Sequence, residues 1–381
     1  MTRRPPAAVG ATLADIDTPA LIIDLDAFER NLDAMATFGE RNNVRIRPHA
    51  KTHKSPDIAR LQIARGAVGQ CCQKVSEAET LVDGGVLDVL VSNEVIGAAK
   101  LDRLAALANR ATISICVDSS LGVAQLAQAA QRHNATINVL VEIDVGQKRC
   151  GIAPGEAAAQ LANHVASMSG LNFAGLQAYH GGAQHMRTLA ERAAAINGVA
   201  AAVALTRTAL AARGLSVGVV GGAGSGTFEL DAATGAVTEL QPGSYIFMDA
   251  DYARNSGADG KPFATFEHAL FVLATVMSRP VGDRAVVDAG HKALPVDSGM
   301  PIVRSIPGAM YHRPSDEHGV LDLAATPDSL RPNLGQKIML IPGHCDPTVN
   351  QHDWYVGVRG LAGASPIVET LWPIAARGAL F

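Results

Sequence analysis

The chain has 381 residues, a net charge of −4, and 48% hydrophobic against 18% charged residues, the proportions of a well-packed globule with room for one large domain or for a large and a small one. That charge excludes a general attraction to nucleic acid or to an anionic membrane surface. Five cysteines without a CxxC point to a reducing compartment, and no run reaches the ~18 apolar residues of a membrane span, so the expectation is a soluble cytoplasmic protein. The N-terminal "MTRRPPAAVGATLADIDTP" has no apolar stretch, and no secretory signal is expected.

In chain order, short β-branched apolar runs alternate with Ala/Leu-rich helical stretches. Strands are predicted at 44–50, 67–73, 88–93, 112–118, 137–144, 172–180, 216–221 and 239–247, and helices at 55–65, 75–83, 97–109, 120–133, 155–167 and 188–213. Ser55 and Pro56 read as the N-cap and first position of the first of these helices. Eight such units predict a (β/α)8 barrel over residues 18–257, and no Gly-rich dinucleotide loop follows the first strand to favour an open sheet. From about 262 the runs become strand-like between Gly/Pro turns, which predicts a smaller β-domain over 258–381. Residues 1–17 and the strand-like "DTPALIIDL" are expected to join it.

Barrel sites lie where strands end at the C-terminal face. In "VRIRPHAK", Arg45, Arg47, His49 and Lys51 share one face, so Lys51 is expected to point inward at the mouth, with Lys54 turned to solvent. A lysine there, kept from water, is expected to have a lowered pKa and to form a Schiff base; a structural pairing with a carboxylate would look the same in sequence. The loop "GGAGSGTFE" after the seventh strand, with Ser225 and Thr227, suits phosphate, as does Ser244 after the eighth; a plain tight turn is the alternative. Lysine on strand one and phosphate on seven and eight together suggest pyridoxal phosphate.

Arg149 is placed to contact the substituents of such a cofactor ring, or else to pair with Glu142 or Asp144; Tyr179 sits beside it, or is a core tyrosine. In "PGHCDPT", His344 and Asp346 share a side of an extended segment and suit Mn²⁺, Mg²⁺ or Zn²⁺ with open positions, though an ordinary turn reads the same way. His352 and Asp353 follow closely. His185, on a glycine-rich loop after the sixth strand, is a candidate general base or a surface histidine. Arg304, His312 and Arg313 are candidates for a substrate carboxylate.

Taken together, "RPHAKTHK", "CCQKVSEAE", "VEIDVGQKRCG", "GLQAYHGGAQH", "ELQPGSYIFMDADY" and "PGHCDPTVNQHDWYVGVR" resemble the D-threonine aldolase family, in order from about residue 15 to the C-terminus. Within it, "VDSGMP", "GHCDPT" and "HDWYVGVR" look most similar to bacterial 3-hydroxy-D-aspartate aldolases. The resemblance implies an alanine-racemase-like fold, a barrel plus β-domain, in a likeness that includes homodimers. It implies Lys51 as the Schiff-base lysine, Arg149 and Tyr179 beside the cofactor ring, and Gly224, Ser225, Gly226, Thr227 and Ser244 at its phosphate. Gln241 stands where racemases carry arginine opposite the pyridine nitrogen. His344 and Asp346 become ligands of a divalent metal, Mn²⁺ first and Mg²⁺ or Zn²⁺ next, and His185 the catalytic base. The implied reaction cleaves a small 3-hydroxy-D-amino acid, of D-threonine or 3-hydroxyaspartate type, to glycine and an aldehyde; elimination of water by a dehydratase using the same site is the alternative.

Overall fold

The computed structural model describes residues 4–257, 259–304 and 306–381. Among these residues, eight parallel strands form the barrel: β2 (Arg45–Ile46), β3 (Gln70–Cys72), β4 (Asp88–Glu94), β5 (Thr112–Val117), β6 (Ile137–Glu142), β7 (Leu171–Gln177), β8 (Val219–Gly222) and β9 (Glu239–Leu240), preceded by β1 (Ala20–Asp24), which lies elsewhere. Their order is β2-β9-β8-β7-β6-β5-β4-β3. The ring closes beyond β2, where the Cys71 N–H donates to Pro48 at 2.8 Å and the Ala50 N–H to Cys71 at 2.7 Å around a parallel His49–Cys71 bridge. Between the strands run α2 (Pro56–Ile63), α3 (Val75–Asp83), α4 (Ala98–Leu107), α5 (Ser120–Arg132), α6 (Glu156–Ser167), α7 (Leu189–Ala211) and α8 (Phe228–Thr234), with α1 (Leu25–Arg41) leading into β2.

The barrel interior is layered. Arg47 fills the foot, held at 2.7 Å by both Glu239 and Asp88. Cys71, Leu90, Cys116 and Leu140 form an apolar layer above it. Above these the lining turns polar, which is the inward alternation expected of the first strand. α7 has the length and apolarity of a membrane span, but Ile196, Val199, Val203 and Leu210 are buried and the helix packs on α6 and α8.

The second sheet contains β10 (Leu270–Val281), β11 (Arg284–Val287), β12 (Ile302–Val303), β13 (Met310–Pro314), β14 (Gly319–Asp322), β15 (Lys337–Ile341), β16 (Trp354–Arg359) and β17 (Ile367–Pro373). β1 is inserted in it, antiparallel to β10 and parallel to β16, so the strand within "DTPALIIDL" belongs to this sheet. All five residues of β1 are buried, as a central strand covered on both faces requires. α1 was absent from the predicted helices, yet it carries its own signals: the Asp24 carboxylate accepts from the Ala27 N–H, and Phe28, Leu32 and Met35 recur at helical spacing. The loop between β15 and β16 holds the short α9 (Cys345–Val349) and reaches over the barrel mouth.

Candidate active site

A cavity of about 320 Å³ opens at the C-terminal ends of the barrel strands. Lys51, Arg149, Tyr179, His185, Gly224, Ser225, Gln241 and Ser244 line it from the barrel, and His344 and Asp346 line it from the second sheet. These residues span nearly 300 positions of sequence and meet because strand ends converge. A second cavity of about 300 Å³, walled by Met35, Val44 and Val68 at the barrel's foot, has no such convergence.

The lysine turn is braced from below. The Lys51 N–H donates to His49 Nδ1 at 3.3 Å, and His49 Nε2 lies 3.1 Å from the Ser92 hydroxyl and 2.8 Å from the Gln73 amide. Burial, then the neighbouring Lys51, holds the His49 pKa well below the ordinary histidine value, so the ring is neutral. For Lys51 itself, burial pulls the pKa down, but Tyr179 and Asp346 outweigh it and the pKa is raised. The lowered pKa expected from sequence is thus corrected: the mouth that excludes water also presents a carboxylate. Lys54 is a second correction. It is buried, not solvated, and its Nζ donates to Glu77 at 2.5 Å, joining the lysine turn to the start of α3. Ser55 and Pro56 do open α2, although the Ser55 hydroxyl makes no capping bond.

His185 sits on the loop after β7 with Nδ1 2.5 Å from Asp251 Oδ2. Asp251 also accepts from Arg187 and Arg254, each at 2.5 Å. Burial works against its charge, but Arg187 and His185 hold its carboxyl below the ordinary range. A carboxylate on Nδ1–H fixes the tautomer and leaves Nε2 as the base. The ring of Tyr252, another cavity residue, packs 5.8 Å from that of His185.

The same segment grips the second sheet's loop. The Ala250 and Asp251 N–H groups donate to Pro342 and Gly343 at 3.0 and 3.2 Å, and the Cys345 N–H donates to buried Asp249 at 3.0 Å. Asp249, Asp251 and Tyr252 were not singled out as individual site residues from sequence. The carboxylates of "DADY" directly after an apolar run were the available signal.

His344 Nδ1 is 3.1 Å from Asp297 Oδ2, a contact that fixes the ring's orientation. Burial opposes a charge on His344, while Asp346 and Asp297 raise its pKa. Such surplus negative charge suits a cation. Among the described residues no group of three or more His, Cys, Asp or Glu side chains converges as a metal cluster; His344 and Asp346 are the imidazole and carboxylate that the second sheet brings to the cavity. This fits a hard divalent ion that keeps water or substrate oxygen. His352 and Asp353 lie outside the cavity: His352 is bonded to the Ala293 carbonyl at 2.7 Å and Asp353 is 3.0 Å from Arg377. Arg304 stacks over Phe271, and His312 and Arg313 lie exposed on β13; none of the three lines the cavity.

At the far end, the Gly224–Ser225 backbone lines the cavity, and the buried Ser225 hydroxyl has no hydrogen-bond partner. Gly226 and Thr227 do not line it. The Gly226 N–H donates to Gln184 at 2.9 Å and the Thr227 hydroxyl to Asp231 at 2.7 Å, so these two, expected at the phosphate, instead hold the start of α8. Ala223 has φ +66°, a conformation costly to a residue with a Cβ and of the kind concentrated at functional loops. Gln241 and Gln177 bond each other at 2.7 and 3.1 Å, beside Gly221, where a Cβ would stand 2.4 Å from Gln241 Nε2. Arg149 lies over the Tyr179 ring at 5.6 Å with Glu142 4.0 Å behind it. Burial and the charge of Glu94 raise the Glu142 pKa. A lysine at one side, an unpartnered hydroxyl and glycine backbone at another, and an arginine on a tyrosine between them fit pyridoxal phosphate.

Over residues 23–251 the chain matches the model of the alanine racemase N-terminal domain, and over 269–358 that of a serine dehydratase domain. It is 48% identical to the D-threonine aldolase of Arthrobacter sp, over 98% of this chain and 96% of that protein. The chain belongs to the D-threonine aldolase family. It is 46% identical to the 3-hydroxy-D-aspartate aldolase of Paracoccus denitrificans, over 98% of this chain and 95% of that protein. The crystal structure of D-threonine aldolase from Filomicrobium marinum superimposes with a TM-score of 0.95 at 54% identity, covering 100% of both chains. The chain is accordingly a lyase of the aldolase kind with the alanine-racemase-like fold, and its family implies pyridoxal phosphate.

Proposed function

We propose that this chain is a pyridoxal-phosphate- and divalent-metal-dependent aldolase that cleaves 3-hydroxy-D-amino acids, of D-threonine or 3-hydroxy-D-aspartate type, to glycine and an aldehyde. The observation that carries this reading is that His185, braced by Asp251, and the His344/Asp346 pair line the same cavity as Lys51. Pyridoxal phosphate, when bound, supplies an aldehyde for the substrate amine and a conjugated ring that accepts the electron pair of the breaking Cα–Cβ bond. A divalent cation at His344 and Asp346 supplies Lewis acidity towards the 3-hydroxyl, and Mn²⁺ or Mg²⁺ suits this nitrogen-and-carboxylate pair.

The chain's own residues do the rest. Lys51 Nζ is the amine that holds the cofactor at rest. His185 Nε2 takes the proton of the substrate 3-hydroxyl, and Asp251 stabilises the imidazolium through Nδ1–H. That proton is in net terms the one glycine gains at Cα. Arg149, over the Tyr179 ring, would bring a fixed positive charge to the cofactor ring. Gln241, tied by Gln177, would offer a neutral amide where racemases use arginine.

The match to a serine dehydratase domain over 269–358 favours one second reading, loss of water from the same class of substrate. Product analysis separates the two. With D-threonine and 3-hydroxy-D-aspartate, each in Mn²⁺ and in Mg²⁺, stoichiometric glycine is expected; ammonia with a keto acid and no glycine would replace the aldolase reading with the dehydratase.

A further inference from the structure

We propose that the Thr52 hydroxyl binds the phosphate of the cofactor, an inference that rests on the pyridoxal-phosphate reading. Thr52 follows the lysine directly, lines the cavity and is 0% exposed. Its Oγ1 has no hydrogen-bond partner. Buried hydroxyls are nearly always paired, so one left unpaired against a cavity marks the side from which its partner comes. Among the described residues, Thr52 and Ser225 are the cavity-lining residues with a buried, unpartnered side-chain polar atom.

Position agrees with this. A Cβ on Gly243 would stand 2.4 Å from Thr52 Oγ1, so the hydroxyl lies against the turn after the eighth barrel strand, next to Ser244. Ser225 follows the seventh. Barrels of this kind bind phosphate at the loops after those two strands. The Thr52 N–H is already donated to the His49 carbonyl at 3.3 Å, which fixes the turn and leaves the hydroxyl free to rotate. One turn would then set both ends of the cofactor, the aldehyde by Lys51 and the phosphate by the next residue. Sequence alternation had pointed only to Lys51, because adjacent residues on a strand face opposite ways; the chain turns at 49–53, and so both reach the cavity.

The test uses Thr52→Val, which keeps the shape and removes the hydroxyl, and Thr52→Ser, which keeps it. The full-length chain, stripped of cofactor, is titrated with pyridoxal phosphate and separately with phosphate-free pyridoxal, read by the visible band of the lysine adduct. Thr52→Val is expected to weaken pyridoxal phosphate roughly 10- to 100-fold, the range of a hydrogen bond to a charged group. It should leave pyridoxal unchanged, with Thr52→Ser restoring most of the loss. The cofactor-free valine variant should melt no lower than the parent, since the hydroxyl has no partner there. Unchanged pyridoxal phosphate affinity, or equal losses for both ligands, would overturn the proposal. No band from either ligand with the parent chain would overturn the cofactor reading itself, and this inference with it.

Discussion

At the residue scale, the pair His185 and Asp251 shows how a half-exposed histidine can still be held in a defined orientation. Its ring is free to meet substrate, while a 4% exposed carboxylate, itself held by two arginines, takes Nδ1–H. Asp251→Asn keeps the shape but offers an amide that can turn either an acceptor or a donor to the ring. We expect kcat to fall about 100-fold or more, the contribution of a positioned general base, with KM and cofactor content little changed. A variant with parental kcat would remove Asp251 from the reaction. Lys51, Arg149, Tyr179, His344 and Asp346 were legible before the fold because strand-end position or a short imidazole–carboxylate motif marked each. Asp251 was not, since its partner lies 66 residues away and the carboxylates of "DADY", the available local signal, do not name that partner. His352 and Asp353 misled for the converse reason: nearness in sequence to His344 put them near the motif, but the chain turns through α9 and sends them to Ala293 and Arg377.

At the scale of elements, the turn after β2 is where stability and function meet. Lys54 has φ +52° and a buried ion pair with Glu77, whose other oxygen accepts the Gln73 and Lys74 N–H groups at 2.8 and 3.1 Å. Removing one member of such a pair strands the other. Lys54→Met should therefore cost roughly 3–5 kcal/mol in equilibrium unfolding, against little for an exposed pair such as Lys292–Glu317. An unfolding midpoint unchanged by Lys54→Met would mean the pair does not hold this turn. Predicted strands ran long here, 44–50 against Arg45–Ile46 and 239–247 against Glu239–Leu240. Pro48 and Pro242 have no N–H to give a ladder, and each is followed by a turn that carries site residues. Apolar alternation continues through such turns and cannot mark where pairing stops.

At the scale of the whole molecule, the site belongs to two sheets. β1 begins in the second sheet, α1 carries the chain into the barrel, and the segment 249–251 after the last barrel strand clasps the loop that brings His344 and Asp346 back over the mouth. Tyr355 on β16 adds a bond from its hydroxyl to the His53 carbonyl at 2.8 Å, directly behind the lysine turn. The alternation of strand and helix made the barrel readable, because each unit is local. The second sheet's order was not, because β1 pairs with strands some 250 and 330 positions later and no periodicity encodes such partners. If the clasp serves to place a metal opposite the lysine, the two halves of the chemistry are separable. The measurement is glycine release from D-threonine by the holoenzyme before and after dialysis against a chelator, with the cofactor's visible band followed in the same sample. Glycine release should fall to background while the band persists, and should return on adding Mn²⁺; full glycine release from the metal-free protein would contradict it.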